Sequence, residues 1–175
     1  MRNAPPKRAL DRIDCQLVAA LQNDARLSNK ELAAQVGLAP SSCLSRVRRL
    51  RDEGVLQGFR AQVAPEALGI GIQALVKAKL VRHARELYGS LREYLVGLPE
   101  VVEVFYLAGA DDFLLVVAVR DVQHLRDLVV ERLASRSEVS HLETEIVFER
   151  TSAGGLPIYV EPTSPAPAPK ARRRR

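Results

Sequence analysis

The chain has 175 residues, 47% of them hydrophobic, and a formal net charge of +5. That length suits one medium domain or two small ones, with enough apolar residues for packed cores. No apolar run reaches about 18 residues, the N-terminus carries no apolar signal core, and no Cys/His cluster has zinc spacing, so neither a membrane span, secretion nor a zinc site is expected. The two cysteines, Cys15 and Cys43, fall within helical patterns and read as packing residues in a reducing compartment, not a disulfide framework.

Charge is placed unevenly. Residues 1–63 hold 11 Lys/Arg against 6 Asp/Glu, residues 64–160 hold 10 against 14, and residues 161–175 hold 5 against 1. An acidic middle between basic ends assigns any contact with a polyanion to the N-terminal part.

Residues 1–9 read as a basic arm with Arg2, Lys7 and Arg8. A helix opens over Leu10-Asp11-Arg12-Ile13-Asp14, its acids near the positive end of the helix dipole. Ile13, Leu17, Ala20 and Leu21 line one face, and Asn23 and Asp24 end it. Ser28 followed by Glu31 fits a capping box for a second helix through Leu32, Ala33 and Val36. Gly37 can take the left-handed conformation that stops it. Pro40 suits the first turn of a third helix, because its missing N–H needs no partner there.

From Pro40 to Glu53 the apolar residues Cys43, Leu44, Val47 and Leu50 follow the spacing of one buried helical face. At about 100° per residue, Ser42, Ser45 and Arg49 lie opposite that face, with Ser41 and Arg46 on its flanks. Arg46, Arg48, Arg49 and Arg51 crowd the same helix. Two short helices joined by a tight turn, the second rich in arginine, form the layout of a helix-turn-helix whose second helix enters the DNA major groove. Serine approaches a base or phosphate closely and arginine forks onto guanine or phosphate, so Ser41, Ser42, Ser45, Arg46, Arg48 and Arg49 are the candidate DNA contacts. Gly54-Val55-Leu56-Gln57-Gly58-Phe59 then reads as a turn into a short strand, the start of a wing or of an arm to the next domain.

The second half changes grammar. Ile72–Leu80 reads as a strand with Lys77 and Lys79 pointing outward. Ala84–Leu98 has helical period, with Leu87, Leu91, Tyr94, Leu95 and Leu98 on one side and Pro99 as the stop. Val101–Ala108 reads as a strand, Gly109-Ala110-Asp111-Asp112 as a turn, and Phe113–Val119, almost wholly apolar, as a central strand. Asp121 caps a helix expected to run through Leu133, and Val139–Phe148 is a fourth strand. The order βαββαβ predicts a ferredoxin-like α+β domain, two helices on one face of a four-stranded antiparallel sheet. The other sheet face has no cover of its own, and a dimer burying sheet on sheet would supply one. The chain ends in PTSPAPAPKARRRR, a Pro/Ala/Arg-rich segment expected to be disordered from about residue 151, with Arg172–Arg175 able to hold DNA nonspecifically. The boundaries expected are therefore 1–9 for the arm, 10–63 for the winged-type helix-turn-helix with its linking strand, 64–150 for the sensing and oligomerisation domain, and 151–175 for the tail.

The stretch LDRIDCQLVAALQNDARLSNKELAAQVGLAPSSCLSRVRRLRDEGVLQGFRAQVAPEALG, with the later Gly109-Ala110-Asp111-Asp112-Phe113, resembles the Lrp/AsnC (feast/famine) family over about residues 9–150. The resemblance implies a bacterial, cytoplasmic, nucleoid-associated transcription regulator that binds double-stranded DNA at an imperfect palindrome. It implies homodimers through the C-terminal sheet, tetramers or octamers built from them, and a free amino-acid effector held between dimers. By position it makes Leu107, Ala108, Gly109, Ala110, Asp111 and Asp112 the effector-site candidates: glycine admits close backbone approach and a carboxylate can receive an α-ammonium group. Three positions depart from the family pattern. Ala110 stands where an acid usually follows the glycine, Ala108 where a small hydroxyl is common, and Ala39 where serine usually caps the recognition helix. No cofactor or metal is implied. Some proteins with this two-domain plan are tetrapyrrole decarboxylases, which need gathered histidines. Here His83, His124 and His141 fall in three different elements, so an enzyme is not expected.

Overall fold

Asp11 and Asp14 start the first helix, α1 (Arg12–Asn23), by exchanging bonds: each carboxylate accepts the other's backbone N–H, at 2.9 and 3.1 Å. The computed structural model describes residues 9–81, 88–152 and 154–161. These segregate into two units, one running to Ala61 and taking in the segment from Ser152, the other Gln62–Thr151.

In the first unit, α2 (Asn29–Gln35) opens on the expected capping box, with Ser28 Oγ accepting the Glu31 N–H and Glu31 accepting the Ser28 N–H. It closes on Gly37 at φ +68°, where the Leu38 N–H reaches back to Ala33 and the Gly37 N–H to Ala34. That pair of bonds is the Schellman ending, which needs the left-handed residue glycine tolerates best. α3 (Pro40–Asp52) ends the same way at Gly54, φ +74°, with Val55 donating to Leu50 and Gly54 to Arg51. Leu17, Leu21, Leu32, Ala33, Cys43 and Leu50 are buried together between the three helices. The short strand expected after Gly54 does not form: residues 57–64 take no regular structure, because no backbone within the described residues pairs with them. Among the described residues the unit is a helix-turn-helix without a wing strand.

The second unit begins with a 3₁₀ turn at Pro65–Leu68 and continues β1 (Ile72–Leu80), α4 (Tyr88–Gly97), β2 (Val101–Tyr106), β3 (Phe113–Val119), α5 (Val122–Asp127) and β4 (Val139–Val147). The strands form one antiparallel sheet in the order β2-β3-β1-β4, the ferredoxin-like arrangement, with the wholly apolar β3 and the long β1 central. Ala74, Val76, Ala78, Leu80, Phe113, Leu115, Val117 and Val119 face a core closed by Leu91, Leu95 and Leu98 of α4 and by Leu125, Leu128 and Leu133. Strand alternation puts Leu75, Lys77, Phe105, Leu114 and Val116 on the opposite face. The expected start of α4 at Ala84 lies outside the described residues. The helix expected through Leu133 changes character instead: α5 stops at Asp127 and Leu128–Leu133 is a π-helical turn, with Ala134 donating to Val129. The π turn still buries Leu128 and Leu133.

The tail expectation is corrected in part. Leu156 donates to Gln22 Oε1 at 2.6 Å and its carbonyl accepts from Gln22 Nε2 at 3.2 Å, so this segment lies on α1. Only glycine fits at 155, where a Cβ would come within 2.8 Å of the Gln22 side chain. Residues 162–175, with Arg172–Arg175, and the arm residues Arg2, Lys7 and Arg8 lie outside the described residues.

Candidate nucleic-acid interface and effector turn

α3 rests on α1 through its apolar face, with Cys43 and Leu50 fully buried. Its outer surface presents Ser41, Ser42, Ser45 and Arg48, all exposed, and Arg51 beyond them. No side chain caps α3 at Ala39; the Asn29 amide at the start of α2 donates to the Pro40 carbonyl at 2.8 Å and ties the two helices at that end.

Arg46 and Arg49 are placed differently from their neighbours. Both reach back to α1. Arg46 Nη1 donates to Asp11 Oδ2 at 2.6 Å and to Asp14 Oδ1 at 2.8 Å. Arg49 Nη2 stands 2.6 Å from the same Asp14 oxygen, held there by charge, without the alignment of a hydrogen bond. The Asp14 side chain is 1% exposed, the two arginines about a quarter. Burial pushes the Asp11 carboxyl up, but the Asp14 N–H and the Arg46 guanidinium outweigh it and hold it below the ordinary aspartate value. Burial likewise works against the Arg46 charge, and its bonds to Asp11 and Asp14 outweigh that, so the guanidinium stays protonated. The helix dipole alone accounts for Asp11 and Asp14 in the sequence, and their pairing with α3 does not follow from it. Their spacing of three residues, matching that of Arg46 and Arg49, was the available signal of pairing.

The effector candidates share one tight connection between β2 and β3. The Leu107 N–H donates to the Asp112 carbonyl, and the Asp112 N–H to the Ala78 carbonyl. Asp112 Oδ2 accepts the Leu80 N–H at 2.8 Å, so its carboxylate fastens the turn to the end of β1. Asp111 is half-buried and makes no hydrogen bond or ion pair among the described residues. Ala108, Gly109 and Ala110 are exposed, and a Cβ at Gly109 would meet open space within this chain. Next to the turn, Tyr88 stacks on the buried Phe113 with ring centres 5.2 Å apart and meets Tyr106 edge-on at 4.5 Å.

Among the described residues no three His, Cys, Asp or Glu side chains converge on a possible metal position, and no helix is long and apolar enough to cross a membrane. The histidines are not gathered either: His124 pairs with Glu100 at 3.1 Å, His141 is exposed opposite Lys79 on β4, and His83 lies outside the described residues.

A helix-turn-helix unit joined to a βαββαβ unit with a polar turn at one sheet end defines a two-domain, DNA-binding regulator. Residues 10–51 match the AsnC-type helix-turn-helix domain and residues 73–156 the Lrp/AsnC ligand binding domain. The chain belongs to the Lrp/AsnC family of transcriptional regulators. It is 44% identical over 145 residues to the HTH-type transcriptional regulator AldR of Mycolicibacterium smegmatis, covering 81% of this chain and 83% of that one. It is 36% identical to the leucine-responsive regulatory protein of Escherichia coli, covering 82% and 88%. Among solved structures it superposes on a transcriptional regulator from Neisseria meningitidis in complex with L-Met, with a TM-score of 0.77, 30% identity and 85% and 96% of the two chains covered. It also superposes on the AldR of Mycobacterium tuberculosis, with a TM-score of 0.74 and 38% identity over 85% and 97%.

Proposed function

We propose that this regulator binds a palindromic DNA site through paired α3 helices and that a free amino acid bound at the β2–β3 turn modulates that binding. The observation that carries the effector half is the division of labour in the turn. Asp112 is spent on the Leu80 N–H. The Asp111 carboxylate is left able to receive an α-ammonium group, beside exposed Gly109 and Ala110, whose backbone a small ligand can approach. A relative of the same fold and 30% identity was solved with L-methionine, which supports an amino acid as the ligand class.

The DNA half is carried by exposed Ser41, Ser42, Ser45 and Arg48 on α3. An exposed sheet face supports assembly. Leu75, Leu114 and Val116 are half-buried there and Phe105 is 44% exposed, beside the ion pairs of Lys77 with Glu145 at 2.7 Å and Glu143 at 3.6 Å. A second copy would bury this apolar surface and set two α3 helices about one DNA turn apart. Tetramers or octamers would multiply such contacts and add avidity. The protein would act in the cytoplasm on the nucleoid, without catalysis of its own.

The test is a mobility-shift titration of the DNA upstream of the protein's own gene, with and without each of the twenty amino acids. A shift altered by one amino acid in the wild type and not in Asp111→Asn is the expected result. Binding indifferent to all twenty would overturn the effector reading while leaving the regulator. No binding in any salt condition would overturn the DNA reading.

A further inference from the structure

Asp14 is the most constrained charged residue of the DNA-binding unit. Its side chain is 1% exposed, yet three groups converge on it: the Asp11 N–H at 3.1 Å, Arg46 at 2.8 Å and Arg49 at 2.6 Å. Asp11 completes the set, receiving the Asp14 N–H at 2.9 Å and Arg46 at 2.6 Å. Two carboxylates and two guanidiniums make the cluster neutral. Arg46 and Arg49 are three residues apart on one side of α3, so both attachments fall on the same flank and converge on one carboxylate oxygen. A helix tied at two successive points to one buried atom cannot roll about its own axis without breaking an ion pair. Pulling either arginine out to a phosphate would leave two carboxylates sharing one guanidinium, a net negative charge centred on the buried Asp14, which is costly to hold away from water. Arg48 and Arg51, by contrast, are exposed and make no ion pair among the described residues.

We propose that Arg46 and Arg49 are positioning residues, not DNA ligands: with Asp14 and Asp11 they form a neutral clamp that fixes the rotation of α3, and the phosphate contacts of this helix fall to Arg48 and Arg51. The proposal rests on the DNA-binding reading of α3. It divides an arginine cluster that looks uniform in sequence into an inner pair that orients and an outer pair that binds.

The experiment is a fluorescence-anisotropy titration of full-length protein across a salt series. One probe is a duplex obtained by in vitro selection with the wild-type protein, the other a scrambled duplex of equal length. For each neutralised phosphate the slope of log affinity against log salt changes by about 0.9. Arg48→Ala and Arg51→Ala should each lose about that much per helix bound. Arg46→Ala and Arg49→Ala should lose affinity for the selected duplex with the slope unchanged, because orientation and not phosphate charge has gone. Asp14→Asn should free Arg49 and loosen Arg46, which keeps only Asp11, raising the slope on the scrambled duplex and narrowing the ratio between the two probes at least tenfold. If Asp14→Asn does not fold, the four arginine slopes decide alone. A slope lost with Arg46→Ala or Arg49→Ala to the same extent as with Arg48→Ala overturns the proposal. Failure of the wild type to bind either duplex would instead overturn the DNA reading itself.

Discussion

Replacing Asp112 by alanine separates the structural carboxylate of the β2–β3 turn from the one proposed to receive a ligand. Asp112 Oδ2 accepts the Leu80 N–H at 2.8 Å, and Leu80 is 8% exposed, so the bared N–H faces partial burial without a partner. A hydrogen bond to a charged group contributes about 1.5–3 kcal/mol, and the half-exposed carboxylate is screened toward the lower part, about 1–2 kcal/mol. A domain of this size loses about 4–8 °C per kcal/mol, so the midpoint of the second unit should fall by roughly 4–16 °C. Tyrosine near-ultraviolet circular dichroism reads this unit well, because Tyr88, Tyr94 and Tyr106 lie in it, the chain has no tryptophan, and only Tyr159 lies elsewhere. Asp112→Asn keeps a neutral acceptor and should lose about half as much. Asp111→Asn touches no intramolecular partner among the described residues and should stay within about 0.5 kcal/mol of wild type, while abolishing the response to amino acids. An Asp112→Ala protein melting with wild type, or an Asp111→Asn protein melting as low as Asp112→Ala, would refute the division.

Three further outcomes follow from the same structure. Gly71→Ala places a Cβ 2.3 Å from the Arg120 carbonyl oxygen, both on backbone that cannot yield cheaply, and should destabilise the second unit by about 2 kcal/mol or more, whereas Gly89→Ala, with open space around it in α4, should stabilise by about 0.5–1 kcal/mol; thermal melts compare them. If the proposed dimer forms through the sheet face that carries Leu114, Leu114→Asp should sediment as a monomer where the wild type sediments as a dimer, with the helix-turn-helix still folded; a variant with the wild-type mass would exclude that face as the interface. The Asp11 carboxyl is held below its ordinary value of 3.8, so its ionised form favours the folded state: that stability is present above this value and lost as pH falls through the lower folded one. Denaturant midpoints of the helical signal should therefore drop in acid, and Asp11→Asn should be less stable near neutrality with a shallower acid loss.

Several elements were readable from local chemistry alone. Ser28 with Glu31, Gly37 and Pro40 fixed the ends of α2 and the start of α3, because caps and left-handed turns are decided within five residues. Alternation placed β1, a continuous apolar run placed β3 as a central strand, and a 3.6-residue period placed the inner face of α4. Where the local signal was silent the expectation slipped. Val55–Phe59 has strand character but finds no ladder partner among the described residues, and Asp121–Leu133 has unbroken helical period yet winds into a π turn to seat Leu128 and Leu133. Gln22 and Leu156 are 134 residues apart, and no local rule could join them.

The sequence by itself determined the two-domain plan, the positions of the recognition helix and the Gly109–Asp112 turn, and the charge that assigns DNA to the first unit. These depend on spacing, propensity and sign, which the chain carries residue by residue. Only the tertiary structure decided which charges are free. Arg46, Arg48, Arg49 and Arg51 are equivalent as letters, and so are Asp111 and Asp112. Packing brings Asp14 under two of the arginines and the Leu80 N–H against one of the aspartates. A charged group satisfied inside the fold is not the same chemical reagent as one facing solvent, and that distinction exists only after elements distant in sequence have met.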